Sequence, residues 1–353
     1  MLKADFKKYT LNFINPAATS RGVYSQRNSW FVFLYDTDQP EICGIGECAP
    51  LPGLSPELDA LFEEKLADCC CDIQCVNERL SEGFKGLSSI QMGMETAYRD
   101  LFVAGGTKRF IENDFTAGQR GIPINGLIWM GSVPFMQSQY RDKIREGYGC
   151  IKIKIGALDF SAELSLLRKI RCQYPPDTLE LRLDANGAFT LEEAKKNLHY
   201  LSDLAIHSIE QPLMAGQWDD MQILIRESPV PIALDEELIG VESLQEKERL
   251  LHLIQPAYLV LKPSLHGGFR GCHEWINLAQ KHNIGWWVTS ALESNVGLNA
   301  IAQWTSSLSN PLPQGLGTGR LFTNNFPSPL YIEEDKLKYK KEGCFDLSLL
   351  GRR

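Results

Sequence analysis

Lysines and carboxylic acids recur at the ends of short apolar runs through the second half of this chain, at intervals that bring them to one site. Lys152 and Lys154 alternate with Ile151, Ile153 and Ile155. Alternate residues of a strand share a face, so the two ammonium groups point one way and the isoleucines the other. Further on come Asp184 in Leu181-Arg182-Leu183-Asp184-Ala185-Asn186, Glu210 in Ile209-Glu210-Gln211-Pro212, and Asp235 in Ala233-Leu234-Asp235-Glu236. These acids lie 26 and 25 residues apart, one strand and helix each, so three successive strands aim a carboxylate at one region. A single such acid is ordinarily a helix N-cap or a solvated loop residue, and three in register weaken that explanation. Converging carboxylates repel unless a cation neutralises them, and hard oxygen ligands with room for water and substrate suit Mg²⁺, with Mn²⁺ able to substitute. Lys262 closes another apolar run, Leu259-Val260-Leu261. Around an eight-stranded ring the second and sixth strands are opposed, which sets Lys154 and Lys262 across the mouth with the acids between them. That arrangement suits proton abstraction next to a carboxylate: the metal acidifies the α-proton, one lysine removes it, and the metal and the other lysine stabilise the enediolate. Neighbouring ammonium groups repel, which brings a lysine pKa down toward the roughly 7 to 8 useful to a general base. The plainer account of Lys152 and Lys154 is a lysine pair on an exposed edge strand.

The elements that must hold these residues follow from periodicity. Apolar runs at 122–128, 150–155, 179–185, 206–210, 231–236, 258–262, 286–290 and, weakly, 314–318 each read as a strand, and helical patterns separate them. Eight strands alternating with helices over this span have the size of a closed parallel β/α barrel. No run is followed by the G-x-G-x-x-G turn of a dinucleotide-binding open sheet. Before the barrel, residues 5–43 look strand-like, with Trp30-Phe31-Val32-Phe33-Leu34-Tyr35 ahead of a turn, and helical spacing runs from 55 to 104, opened by Ser55-Pro56-Glu57. The fold class expected is therefore α/β: a parallel β/α barrel behind an N-terminal α+β domain. The expected divisions are 1–115 for the N-terminal domain, 116–322 for the barrel with its site, and 323–353 for a tail, with a hairpin, that returns to the first domain.

Composition agrees with a small-molecule enzyme. The 353 residues carry a net charge of −8 and are 44% apolar and 23% charged, ordinary for a globular chain and unlike a disordered or fibrous one. A net negative protein has no long-range attraction for nucleic acid or for an anionic membrane, so neither partner is expected. No run reaches the roughly 18 apolar residues of a membrane helix and the N-terminus lacks a signal peptide's apolar core, which makes the cytoplasm the expected location. The ten cysteines read as reduced thiols. The cluster Cys69-Cys70-Cys71 with Cys75 has no paired C-x-x-C spacing and no nearby histidine, so buried or helix-face thiols are expected there rather than a metal site. Nothing in the sequence sets an oligomeric state.

Taken in order, these segments resemble the enolase superfamily, in its muconate-lactonizing-enzyme-like subgroup. The resemblance spans nearly the whole chain, and it implies a modified TIM barrel of (β/α)7β type with the N-terminal α+β domain as a capping domain. It includes Gly44-Ile45-Gly46-Glu47-Cys48-Ala49-Pro50-Leu51-Pro52-Gly53, similar to a capping loop that closes over substrate, and Ile90-Gln91-Met92-Gly93-Met94-Glu95-Thr96-Ala97. In the barrel it includes Lys152 and Lys154, Asp184-Ala185-Asn186, Glu210-Gln211-Pro212, Asp235-Glu236, Lys262-Pro263, the segment from Ser290 through Glu293 and Ser294 to Gly297, and Gly315-Leu316-Gly317-Thr318-Gly319. The resemblance implies that Asp184, Glu210 and Asp235 bind Mg²⁺, that Lys154 acts as base and then acid, and that Lys262 stays a cation beside the enolate. The implied activity is that of a hydro-lyase of menaquinone biosynthesis, a syn-dehydration of 2-succinyl-6-hydroxy-2,4-cyclohexadiene-1-carboxylate to 2-succinylbenzoate. Lys152, Asn186, Ser290, Glu293 and Ser294 are candidate contacts for this small carboxylate substrate, although Asn186 and Ser290 could equally fill the barrel mouth. Trp129, Leu51 and Leu54 could line an apolar pocket or simply pack. Gly267-Gly268 could present backbone N–H groups to an anion, a tight turn being the commoner cause. The six histidines show no ligand spacing. Competing readings are an N-acylamino acid racemase using both lysines, a muconate-type cycloisomerase, and a non-catalytic barrel that binds ligand. A dipeptide epimerase is disfavoured because 315–319 lacks paired aspartates. A decayed barrel predicts the loss of a ligand or a lysine, and none of the five is missing.

Overall fold

A computed structural model describes residues 1–19 and 22–351. The chain begins with an antiparallel sheet of three strands, β1 (Leu2–Thr19), β2 (Gly22–Asp36) and β3 (Gln39–Cys48), in the order β1-β2-β3. The unbroken apolar run of β2 reflects burial on both faces. Trp30, Val32 and Leu34 pack with Phe62, Leu66, Ile90 and Met94 of the cap, whereas Phe31 and Phe33 pack with Val296, Phe326, Leu347 and Leu350. The sheet is therefore the layer between the cap helices and the barrel.

Helix Ser88–Phe102 lies against β3 at a distance that only glycine permits. A Cβ on Gly46 would sit 1.8 Å from the Gly93 carbonyl oxygen, and one on Gly44 would sit 2.1 Å from that of Ala97. Gly44 and Gly46, expected in a capping loop, thus belong to a strand, and the loop proper, with Gly53, begins after Cys48. Residues 55–61 form turns instead of opening a helix, because the Ser55 hydroxyl accepts the Leu51 N–H at 2.9 Å, and the helix starts at Phe62. Cys69 and Cys70 are buried in the cap core, Cys71 and Cys75 are exposed, and all four are free thiols. Burial pushes the Cys70 thiol up to about 12.

Next come β4 (Ile122–Pro123) and then seven parallel strands: β5 (Gly126–Ile128), β6 (Cys150–Lys154), β7 (Glu180–Asp184), β8 (Ser208–Glu210), β9 (Ile232–Leu234), β10 (Tyr258–Leu261) and β11 (Gly285–Val288). They pair in sequence order into one curled sheet. Four of the helices between them start on side-chain caps, at Ser132, Asp159, Ser243 and the Thr190–Glu193 capping box. Ile151, Ile153 and Ile155 point outward into this helix layer and are buried there.

The expected eighth strand, 314–318, does not form. Gln314 bridges Ile124, and Gly315 bridges Thr289. Gln314 donates to the Pro123 carbonyl at 2.8 Å and Gly315 to that of Val288 at 2.8 Å, so the gap between β11 and β5 is spanned by a two-residue contact. The cause lies in Gly315, Gly317 and Gly319, which weaken a strand. At Gly315 a side chain is excluded outright, since its Cβ would meet Thr289 Oγ1 at 2.0 Å. The expected first strand, 122–128, is also divided: Ile122–Pro123 turns away to pair with the C-terminal hairpin of β12 (Leu330–Glu333) and β13 (Lys336–Tyr339). Beyond the hairpin, Phe345, Leu347 and Leu350 pack on Phe31 and Phe33. No described helix is long and apolar enough to cross a membrane.

Candidate active site

The period-two alternation of β6 sends Lys152 and Lys154 to the inner side of the sheet, and parallel register sets Lys154 beside Asp184 and Asp184 beside Glu210. Lys152 Nζ is 2.9 Å from Asp184 Oδ2 and 2.5 Å from Glu210 Oε2. Lys154 Nζ lies 2.8 Å from Asp184 Oδ2 and 2.7 Å from Asn186 Oδ1. Lys262, past the end of β10, forms an ion pair with Asp235. Asn186 is fixed in turn. Its amide donates to Glu236 Oε1 at 2.9 Å and its own N–H to Asp184 Oδ1 at 3.1 Å, with the backbone in the left-handed region at φ 46°.

These charges are buried, and they shift one another strongly. Burial alone lowers the Lys152 pKa, but Asp184, Glu210 and Asp235 outweigh it, and the ammonium is held above its ordinary range. Lys262 is raised likewise, against burial, chiefly by Asp235. The expectation that adjacent ammonium groups depress a lysine is thus reversed at Lys152, because the acids of β7 and β8 are nearer than repulsion can offset. Burial would raise Asp184, yet Lys152 and Lys154 hold it low. Burial, with the Asp184 charge beside it, pushes Glu210 well up.

A cavity of about 350 Å³ opens over these groups. Lys152, Lys154, Asp184, Asn186, Lys262 and Ser290 line it, and Trp129, Leu51 and Leu54 give it an apolar wall. Ser290 Oγ lies 2.6 Å from Thr318 Oγ1 on the far side of the barrel seam. Two candidate contacts face elsewhere. Glu293 is fully buried, accepting the Ser264 hydroxyl at 2.5 Å and the Ala291 N–H at 2.7 Å. Ser294 caps helix Asn295–Ser306 and binds Glu47 of the cap. Both are corrections to the sequence reading: they follow strand β11 closely, but Ser264 and the Ala291 N–H take up the Glu293 carboxylate, and Glu47 of the cap takes up Ser294. The N–H groups after Gly267-Gly268 are likewise used, with Glu95 accepting from Phe269 at 2.6 Å and from Arg270 at 3.1 Å.

Arg27 escaped the sequence reading. Its guanidinium is buried and donates to the carbonyls of Ala291 at 2.5 Å, Leu292 at 2.7 Å and Pro50 at 3.2 Å, so it joins the capping loop to the loop after β11. Set among Gln26 and Asn28 it looks like any polar strand residue, and no local signal marks it. His266 is a second omission. Its Nδ1 accepts the Lys262 N–H at 3.0 Å, and burial lowers its pKa to about 3, so the imidazole that props the Lys262 backbone is neutral.

As the side chains stand, no group of three or more metal-ligating residues is assembled among the described residues, because lysines take up the acids. Within that cluster Glu210 Oε1 and Asp235 Oδ1 are nevertheless buried and accept no hydrogen bond. Buried acceptor atoms without donors, on neighbouring strands beside Asp184, fit a hard divalent cation.

A curled parallel sheet that brings a lysine of β6 and a lysine just past β10 into one cavity beside strand-end carboxylates defines a barrel enzyme suited to taking a proton from carbon next to a carboxylate. The chain belongs to the family described as enolase C-terminal domain-like, whose model matches residues 136–341. It is 43% identical over 363 aligned positions, covering 94% of this chain and 97% of the relative, to the o-succinylbenzoate synthase of Desulfotalea psychrophila. The crystal structure of MenC from that organism superposes with a TM-score of 0.82 at 39% identity, covering 96% of this chain and 99% of the other. An L-Ala-D/L-amino acid epimerase of a Maribacter species is 32% identical over 86% of each chain.

Proposed function

We propose that the protein is an o-succinylbenzoate synthase, a cytoplasmic hydro-lyase that dehydrates 2-succinyl-6-hydroxy-2,4-cyclohexadiene-1-carboxylate to 2-succinylbenzoate for menaquinone. The observation that carries this reading is the 43% identity along 94% of the chain to a synthase, on a site whose residues suit the chemistry.

Asp184, Glu210 and Asp235 would hold Mg²⁺. The metal, when bound, supplies positive charge that acidifies the proton next to the substrate carboxylate and stabilises the enolate. Lys152, bonded to Asp184 and Glu210, orients those two carboxylates. Lys154, as the amine, takes the proton from the carbon bearing the carboxylate. Asn186 Oδ1 steers its Nζ. The resulting Lys154 ammonium returns that proton to the departing hydroxyl on the same face, the C–O pair leaves with the oxygen, and the ring becomes aromatic. Net loss is one water. Lys262 remains an ammonium across the cavity and stabilises the enolate. Trp129, Leu51 and Leu54 keep bulk water away, which strengthens these charge interactions.

The test is incubation of purified protein with the cyclohexadiene substrate, following loss of diene absorbance and identifying the product by NMR, with Mg²⁺ and with EDTA. Conversion that stops with EDTA supports the reading. No conversion by folded, Mg²⁺-loaded protein, together with deuterium exchange into N-succinyl amino acids, would replace it by racemisation.

A further inference from the structure

The substrate named above carries a second carboxylate, at the end of its succinyl chain, and the cavity contains a cation not yet committed to any partner. Among the described residues, five cationic side chains line the wall: Lys143, Lys152, Lys154, Lys262 and Arg320. Lys152 and Lys154 are engaged by Asp184, Lys262 by Asp235, and Lys143 by Glu146 at 2.7 Å. Arg320 alone of the five makes no hydrogen bond or ion pair among the described residues.

Its position is set by the barrel seam. The segment that bridges β11 and β5 is pinned at Gln314 and Gly315 and again where Thr318 meets Ser290. Arg320 follows Thr318 by two residues, within about 7 Å along the chain, so its long side chain can reach the space beside Ser290 from the seam. The residue is exposed, so water rather than a protein group solvates its guanidinium at the rim of the cavity.

We infer that Arg320 binds the terminal carboxylate of the succinyl chain, an assignment that rests on the synthase reading for the identity of the ligand. One substrate carboxylate goes to the metal side, and the chain carrying the other runs along the seam to the guanidinium. A guanidinium presents parallel N–H donors that match a carboxylate in a way an ammonium does not. Arg320 is therefore a specificity determinant for the dicarboxylate and takes no part in proton transfer.

Calorimetric binding to the Mg²⁺-loaded protein tests this, with 2-succinylbenzoate and with 2-butanoylbenzoate, which has a methyl group in place of the tail carboxyl. Wild type should bind the first about tenfold more tightly than the second. Arg320→Gln should erase that preference by weakening 2-succinylbenzoate alone, and Arg320→Lys should recover part of it. In turnover the Gln variant should raise KM and leave kcat near wild type. Equal weakening of both ligands, an unchanged Kd for 2-succinylbenzoate in Arg320→Gln, or no binding of it by wild type would each overturn the assignment. Wild type that binds 2-succinylbenzoate but does not turn over the diene would instead sink the synthase reading and leave Arg320 as the tail's partner.

Discussion

Glu47 and Ser294 are 247 residues apart in the chain and share two hydrogen bonds: Glu47 Oε1 accepts the Ser294 N–H at 3.0 Å, and Glu47 Oε2 accepts the Ser294 hydroxyl at 2.5 Å. The same Oε2 takes the Gly297 N–H at 2.9 Å, and Ser29 holds Oε1 at 2.7 Å. A cap carboxylate therefore completes the N-terminus of helix Asn295–Ser306 in the barrel, where its negative charge also meets the positive end of the helix dipole. Glu95 does the same for helix Gly268–Lys281 through Phe269 and Arg270. These two contacts fix the cap, and with it Leu51 and Leu54, over the mouth.

Removing the Glu47 carboxylate strands several buried donors. Glu47→Ala should cost about 3 kcal/mol of stability, read from urea unfolding. It should also raise KM, since the capping loop loses its anchor. A variant with wild-type stability and KM would show that the contact does not fasten the cap.

Metal binding should be visible as stability. Saturating Mg²⁺ should raise the melting temperature of wild type by about 3 °C or more, because a ligand of the native state alone stabilises it by mass action. Asp235→Asn should remove most of that rise. An equal Mg²⁺ response in both proteins would place the metal elsewhere.

The contact of β3 with helix Ser88–Phe102 leaves no room for a methyl group. In Gly46→Ala the new Cβ would meet backbone atoms of Gly93 and Ala97, which cannot swing aside, so a loss of about 3 kcal/mol or more is expected. Gly149→Ala, where nothing lies within 4 Å, is the control and should stay within about 0.5 kcal/mol. Similar urea midpoints for the two variants would argue against this packing.

His207 should contribute to acid sensitivity. Burial beside the Tyr258 ring, with centroids 4.7 Å apart, lowers its pKa from the ordinary 6.5, and Glu180 only partly opposes this. The folded protein then disfavours the protonated ring. Its contribution is fully present above 6.5 and is lost as pH falls from 6.5 through the lowered value. Between about pH 8 and about pH 5 the stability advantage of wild type over His207→Asn should shrink. An advantage that stays constant or grows toward acid would give the shift the opposite sign.

The parts of this molecule that sequence revealed are those set by local periodicity. The Ile151-Lys152-Ile153-Lys154 alternation alone separates the helix-facing side of β6 from the cavity side, and an acid at the end of a run can only look out of the sheet's C-terminal edge. The parts it hid depend on contacts between distant segments. The bridge at Gln314 and Gly315 replaces a strand because glycines and a close approach to Thr289 shape it, and no repeat marks that. Arg27, Glu47 and Glu95 act on loops or helix ends roughly 170 to 260 residues away. Glu293 and Ser294 looked like mouth residues for the same reason: their partners, Ser264 and Glu47, are distant in sequence. The raised Lys152 pKa depends on three acids from three later strands, whose distances the spacing of Lys152 and Lys154 does not contain.

The proposed reaction turns on proton transfer by Lys154. The most direct test is turnover of the cyclohexadiene carboxylate by wild type and Lys154→Ala side by side, both Mg²⁺-loaded and shown to be folded. Wild type should form 2-succinylbenzoate in an EDTA-sensitive reaction, and kcat should be lower by about three orders of magnitude or more in the variant. Turnover by Lys154→Ala at the wild-type rate would contradict that role for Lys154.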